Sequence, residues 1–451
     1  MRAELRRLLS PDALLAPAPA LYLRDETEGR GVVGHADAVV APATTEEVAS
    51  VVAWCYEHDV PLVPRGGGTG FAAGAVPDGG VVVSLERLTA IRAFEPLAWK
   101  IHAEAGVRTA ELRRIVRESG LVFPPDPGAA EQSQLGGNIA TNAGGPHAFK
   151  YGVTGAWVTG LEAVVPPGEV VRAGGPVRKD VAGFDLKSML VGSEGTLGVI
   201  TSAWLKLLPA PEAFLPVVAV YGSVAAGSDA LARVVGNGLA VAALEYLDGR
   251  TLLAAGASFP GGLPAEAAFM VIAEADGSHD EARRLRDEVA DVLSEDAEVV
   301  RTPTAPGEVA ALWRWRDGVS LSVAAQRGGK VSEDICVPFE HLPEAIEETL
   351  AIGARHGLET CSWGHGGDGN LHSTFMVSPD DEDELRRAER AAVELFELAT
   401  RLGGSISGEH GIGTVKREFW LRSLSPRELE LQRAVKAAFD PKGLLNPGKV
   451  V

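Results

Sequence analysis

His365 and His372 stand on either side of Asp368-Gly369 in the run Cys361-Ser-Trp-Gly-His-Gly-Gly-Asp-Gly-Asn-Leu-His-Ser-Thr-Phe375, and paired imidazoles bind divalent metals. Asp368-Gly369 is a two-residue type I′ turn signal between apolar and β-branched flanks. Counting outward from that turn sets Gly367 opposite Asn370, Gly366 opposite Leu371, and His365 opposite His372. Cβ atoms paired across strands lie about 4.5–5.5 Å apart, and metal–nitrogen bonds of about 2.0–2.1 Å span such a gap. An open catalytic site then needs one more protein ligand, for which Glu409 in Ser407-Gly-Glu-His-Gly411 is the candidate. The competing reading is a glycine-rich hairpin whose histidines bond only to backbone.

A second motif, Pro64-Arg65-Gly66-Gly67-Gly68-Thr69-Gly70, follows the apolar run Val60-Pro-Leu-Val63. Consecutive glycines let backbone amides turn inward as an anion-binding nest and approach a pyrophosphate closely, so a dinucleotide is the expected guest. Gly68, Gly70 and Ala73 fit G-x-G-x-x-A with Glu86 downstream, but a Rossmann turn must open a helix. Phe71-Ala-Ala-Gly-Ala-Val-Pro-Asp-Gly-Gly80 is broken by glycines and a proline before two turns can form, which excludes that reading.

Residues 38 to about 210 are glycine-rich with short β-type runs such as Gly80–Ser84 and Thr159–Val165, and Pro209 and Pro211 close the segment. From 212 to 410 strands alternate with amphipathic helices: Phe269–Ala273 and Lys330–Val337 as strands, His279–Leu293, Leu342–His356 and Asp380–Leu402 as helices. Pro426–Phe439 reads as a further helix. The expected organisation is α+β with two domains: 1–211, joined by 411–451, and a substrate or cap domain over 212–410. A chain of 451 residues accommodates two cores.

The net charge of −19 disfavours nucleic acid and anionic membranes as partners. An anionic substrate therefore needs a locally basic pocket. Three cysteines, Cys55, Cys336 and Cys361, fall in no cluster spacing and indicate a reducing, cytoplasmic setting. The apolar run 13–23 holds two prolines and follows Asp12, against a secretion signal. No apolar stretch reaches the roughly 18 residues of a membrane span, so membrane attachment is expected only through a partner.

Three more glycine-rich stretches complete a series: Phe123-Pro-Pro-Asp-Pro127-Gly128, Gly136-Gly-Asn-Ile-Ala-Thr-Asn-Ala-Gly-Gly145, and Gly192-Ser-Glu-Gly-Thr-Leu-Gly-Val-Ile200. In this order they resemble the flavoprotein family of vanillyl-alcohol oxidase and p-cresol methylhydroxylase. His365 to His372, Gly408-Glu-His-Gly411 and Asn446-Pro-Gly-Lys449 further resemble its D-2-hydroxyacid dehydrogenase branch, with D-lactate and D-2-hydroxyglutarate dehydrogenases and the flavin subunit of glycolate oxidase. The resemblance runs from about residue 38 to the C-terminus.

The resemblance implies FAD held by Pro64, Arg65, Gly66, Gly67, Gly68, Thr69 and Gly70 at the pyrophosphate. Pro127, Gly137, Asn138, Thr141, Gly144, Gly145 and Asn446 would line the flavin, with Gly195 and Ile200 on the adenine side. Many relatives attach FAD through a histidine in the first loop; residues 64–80 hold none, so non-covalent FAD is expected. The resemblance also implies zinc or manganese on His365, His372 and Glu409, His410 as catalytic base, Asn370 in the substrate site, and Arg316 on the substrate carboxylate, with Arg314 as its alternative. A lysine that some relatives carry corresponds to Lys330 or, by position, to Ser332.

These roles suit oxidation of a small D-2-hydroxy acid (D-lactate, glycolate or D-2-hydroxyglutarate class) to its 2-keto acid: a metal acidifies the hydroxyl, an imidazole takes its proton, and a guanidinium grips the carboxylate. The electron acceptor implied is a quinone, an electron-transfer protein or an iron–sulfur subunit, and a homodimer is compatible with it. The alternatives are a flavin oxidase of the same fold acting on another alcohol and the flavin subunit of an electron-transfer complex.

Overall fold

The computed structural model describes residues 1–15 and 17–451; Ala16, inside the apolar run 13–23, lies outside the described residues. The chain divides into two compact units. The first comprises Met1–Gly144, Val153–Ala210 and Glu409–Val451, and the second Gly145–Gly152 and Pro211–Gly408.

In the first unit the strands Ala38–Val40, Val81–Ser84 and Leu62–Arg65 run parallel, with Leu14–Leu15 antiparallel at the edge. Their valines and leucines form an unbroken apolar run, as strands covered on both faces require. The helix Thr45–Glu57 packs Val48, Val51, Val52 and Cys55 against them, and Thr44 caps it by accepting from the Glu47 amide. The second sheet is antiparallel, in the order Ile91–Glu95, Lys100–Glu104, Val199–Lys206, Val158–Val165, Glu169–Gly174. The C-terminal segment returns here: Asn446 N donates to Leu62 O (2.7 Å), and buried Asp440 accepts from Tyr56 Oη (2.6 Å) and Leu445 N (2.8 Å).

The second unit is built on one antiparallel sheet, ordered Val299–Arg301, Ala213–Tyr221, Phe269–Gly277, Ala243–Asp248, Glu359–Gly364, Asn370–Val377, Gly329–Cys336. Its strands alternate faces with period two. One face sends Val218, Leu247, Met270, Ile272, Trp363 and Met376 into a core with Leu252, Leu312, Trp315, Val319 and Val323 from the helices Gly249–Ala255, Pro306–Asp317 and Val319–Arg327. The helices Val224–Gly236, His279–Leu293, Leu342–Arg355 and Glu382–Arg401 cover the opposite face.

The hairpin register departs from the two-residue turn expected. Trp363, not His365, is paired with His372. Gly366–Asp368 forms a single 3₁₀ turn, and Gly369 adopts a left-handed φ of 66° while its carbonyl accepts from Val337 N (2.8 Å). That bond to a third segment holds Gly369 in a longer loop, and His365 O closes it by accepting from Asn370 N (3.1 Å).

Phe375, fully buried on the sheet face opposite Trp363, measures how much this sheet contributes. Phe375→Ala should lower unfolding free energy by about 3–5 kcal/mol, read as a shift in denaturant midpoint. An unshifted midpoint would show that the second unit does not limit stability.

Candidate active site

Glu245, His372, Asp334 and Lys330 share one face of the second unit's sheet, because Leu247 pairs with Trp363, Trp363 with His372, and His372 with Asp334. The helix Pro306–Asp317 brings Arg316 to that same face, where Arg316 is 7% exposed. Arg314, two residues earlier, is solvent-exposed, so only Arg316 enters the interior.

His365 lies just beyond its strand, yet its ring reaches His372, with centroids 5.3 Å apart and planes at 86°. Its Nδ1 is hydrogen-bonded to Glu245 Oε1 at 2.5 Å. A carboxylate on one ring nitrogen is how proteins orient a histidine whose other nitrogen ligates a metal. Glu245 Oε2 also lies 2.5 Å from Arg316 Nη2, an ion-pair contact off the direction of a hydrogen bond. Burial pushes the Glu245 carboxyl up, but Arg316 and His365 outweigh it and the group ends below the usual range. Among the described residues Arg316 Nε has no hydrogen-bond acceptor.

Asn370 donates its NH₂ to Asp334 Oδ1 (2.6 Å) and Ile335 O (2.9 Å), which leaves its buried Oδ1 without a hydrogen-bond partner among the described residues. Ser407 Oγ donates to Asp334 Oδ2 (3.0 Å), and a Cβ on Gly408 would meet Asn370 Nδ2 at 2.2 Å. The segment leading to Glu409 is thereby fixed in the second unit. Lys330 donates to Ser320 Oγ and sits 5.3 Å from the Trp363 ring, facing inward, while Ser332 bonds Thr374 Oγ1 (2.7 Å). Burial lowers the Lys330 pKa to about 8.

In the first unit five loops meet. Gly66 packs on Gly137, where a Cβ would lie 3.3 Å from backbone; one on Gly67 would meet Gln132 O at 2.3 Å, and one on Gly195 would meet Pro64 at 3.2 Å. Gly144 faces Glu409, whose Oε2 would stand 2.7 Å from an added Cβ. Asn446 Nδ2 ties Gly74 O (2.9 Å) to Glu194 O (2.7 Å). The His410 ring lies 4.7 Å from Phe71. Thr141 Oγ1 donates to Gly137 O (3.1 Å), Pro127 lies outside helix and strand, and Thr69 and Gly70 continue the first loop without helix.

Several of the expected cofactor residues are also engaged within the protein. Arg65 is 3% exposed and donates to Leu21 O (2.8 Å) and Arg24 O (2.7 Å), so its guanidinium braces the N-terminal segment. Asn138 Nδ2 is bonded to Thr109 Oγ1 (2.6 Å), and Ile200 pairs with Ala163 inside a sheet. Gly145 belongs to the second unit. Glu245 was not foreseen, although an acidic residue within the apolar strand Ala-Leu-Glu-Tyr-Leu was the available signal.

A family model described as "FAD linked oxidases, C-terminal domain" matches residues 210–450, and one described as "FAD binding domain" matches 36–174. The chain belongs to the FAD-linked oxidases, in the branch of the D-2-hydroxyacid dehydrogenases. It is therefore an FAD-dependent oxidoreductase. Glycolate oxidase subunit GlcD of Bacillus subtilis (strain 168) is 37% identical, covering 92% of this chain and 88% of that protein. D-2-hydroxyglutarate dehydrogenase of Stutzerimonas stutzeri (strain A1501) is 32% identical over 99% and 98% of the two chains. The structure of p-cresol methylhydroxylase with substrate bound superposes with a TM-score of 0.82 at 19% identity, covering 99% of this chain and 95% of that one, which establishes the shared fold. No described helix is long and apolar enough to cross a membrane.

The glycine cradle of this oxidase suits a dinucleotide, since side chains at Gly66 and Gly67 would collide with the backbone of residues 132–137 and push apart the loops that form it. Gly68 has φ 70°, and a Cβ there would meet the Arg65 guanidinium at 2.0 Å. Gly68→Val should yield colourless protein; stoichiometric FAD in the variant would refute the assignment. Glu245→Gln should leave Arg316 buried without a counter-charge and cost about 3–5 kcal/mol in denaturant titration. An unchanged midpoint would mean that Arg316 is balanced by another group.

Proposed function

We propose that this chain oxidises a small D-2-hydroxy acid to its 2-keto acid, using non-covalent FAD and one divalent metal, zinc or manganese. The observation that carries this reading is Glu245 between His365 and Arg316, which couples a metal-type histidine to a carboxylate-binding guanidinium. His365, His372 and Glu409 would hold the metal, offering two imidazole nitrogens and a carboxylate oxygen. The relatives named for glycolate oxidase and D-2-hydroxyglutarate dehydrogenase support the substrate class.

When bound, the metal acidifies the substrate hydroxyl and FAD accepts the hydride equivalent. His410 takes the hydroxyl proton at an imidazole nitrogen. Arg316, with its Nε and Nη2 groups making no hydrogen bond within the protein, receives the carboxylate and orients the acid. Lys330 adds a second cation on the same sheet face, supplying the basic character that an acid-rich chain needs locally. Asn370 supports the pocket through Asp334. Residues 1–211 with 411–451 serve the flavin, and 212–410 the substrate.

His365→Ala and His372→Ala should each lose metal while retaining FAD. His410→Ala should keep both and slow flavin reduction about 10²–10⁴-fold. Elemental analysis beside single-turnover rates decides this, and equal metal loss in all three variants would overturn the division between ligands and base. Lys330 carries its charge below pH about 8 and loses it above. KM for the acid should therefore climb as pH rises through that value, and Lys330→Met should flatten the climb. An identical pH profile in the variant would remove Lys330 from substrate binding.

A further inference from the structure

Glu194 lies in the motif Gly192–Gly198, which suggests a flavin loop, yet its carboxylate points elsewhere. The residue is 9% exposed and holds a left-handed φ of 51°, which is costly outside glycine. Its Oε1 accepts from Ile412 N and its Oε2 from Gly413 N, both at 2.7 Å. These amides immediately follow Glu409-His410-Gly411. A Cβ on Gly411 would stand 2.8 Å from Glu194 Oε1, and one on Gly74 would stand 3.4 Å from Oε2, so the carboxylate is closed in between two glycines.

The clamp is itself clamped. Glu194 N donates to Ala140 O (2.7 Å), and Asn446 Nδ2 donates to Glu194 O (2.7 Å). On the other side of the loop, Thr414 N donates to Ala72 O (3.0 Å), and Phe71, the residue before Ala72, lies against the His410 ring. Burial raises the Glu194 pKa, and the Ile412 and Gly413 amides oppose that rise by bonding the ionised form.

We propose that Glu194 is a positioning residue, whose carboxylate fixes the His410 imidazole by holding the Ile412 and Gly413 amides just beyond Gly411. This rests on the reading of His410 as the proton acceptor. Two N–H donors on two oxygens require a carboxylate. A glutamine has one acceptor oxygen and would turn its NH₂ toward one of the amides. Displacements of about 1 Å at a reacting group cost about 10²-fold in rate, so a carboxylate committed to backbone can govern proton transfer without touching substrate.

Amide hydrogen exchange in the FAD-loaded wild type should show Ile412 and Gly413 protected, and Glu194→Gln should release them. With the fastest of D-lactate, glycolate and D-2-hydroxyglutarate, E194Q should reduce its flavin about 10²-fold more slowly, with FAD content and absorption maxima unchanged. In a His410→Ala background it should add almost no further loss, because the two residues act through one group. Gly411→Ala, which crowds the same carboxylate from the other side, should reproduce the release. Unprotected amides in the wild type, a wild-type rate in E194Q, a loss that adds in full to that of His410→Ala, or FAD loss with the amides still protected would each overturn the proposal. If His410→Ala alone leaves the rate unchanged, the proton-acceptor reading fails, and exchange at Ile412 and Gly413 still decides whether the clamp exists.

Discussion

A fully buried carboxylate shared between a histidine and a guanidinium sets the chemistry of the second unit. Glu245 is 0% exposed, and it contacts both the Arg316 guanidinium and His365 Nδ1. Burying such a charge costs several kcal/mol unless a partner compensates, so the sheet must deliver Glu245, and the helix Pro306–Asp317 must deliver Arg316, to one place. Period-two alternation meets half of that demand by lining Glu245, Trp363, His372 and Asp334 along one face. Helix burial through Leu312 and Trp315 meets the other half, since the same packing that hides Trp315 turns Arg316 inward and leaves Arg314 in solvent.

The first unit solves a different problem, which is to bring backbone close to a ligand. Its loops approach one another at glycines because any Cβ would collide with a neighbouring carbonyl or side chain. Polar side chains in these loops are largely spent on the protein itself: Arg65 on the N-terminal segment, Asn138 on Thr109, Asn446 on Gly74 and Glu194, and Glu194 on the loop after His410. The division of labour is consistent, with backbone meeting backbone where the loops approach and side chains holding the loops in register.

Much of this was legible in the sequence. The helices His279–Leu293 and Pro426–Phe439 follow directly from apolar periodicity and caps, and the rejection of a Rossmann helix after Gly70 follows from Gly74 and Pro77. The glycine series and the histidine pair likewise marked the family. The hairpin register was misread because a two-residue turn signal is local, whereas the bond from Val337 to Gly369 comes from another segment. The inward turn of Arg65 depends on tertiary partners far away in sequence, and for Glu245 the local pattern offers only an acidic residue in an apolar strand, without naming its partners. Glu194 has the same character, since its partners Ile412 and Gly413 lie 218 and 219 residues further along the chain.

The account stands or falls on whether a divalent metal and a D-configured hydroxy acid act together in the reducing half-reaction. Anaerobic stopped-flow bleaching of the flavin, with glycolate and with the D and L forms of lactate and 2-hydroxyglutarate, before and after chelator treatment, measures this directly. The prediction is rapid bleaching by glycolate or a D acid, little by the L forms, and suppression by chelator that added zinc or manganese reverses. Equal bleaching after complete metal removal, or faster bleaching by an L acid, would contradict it.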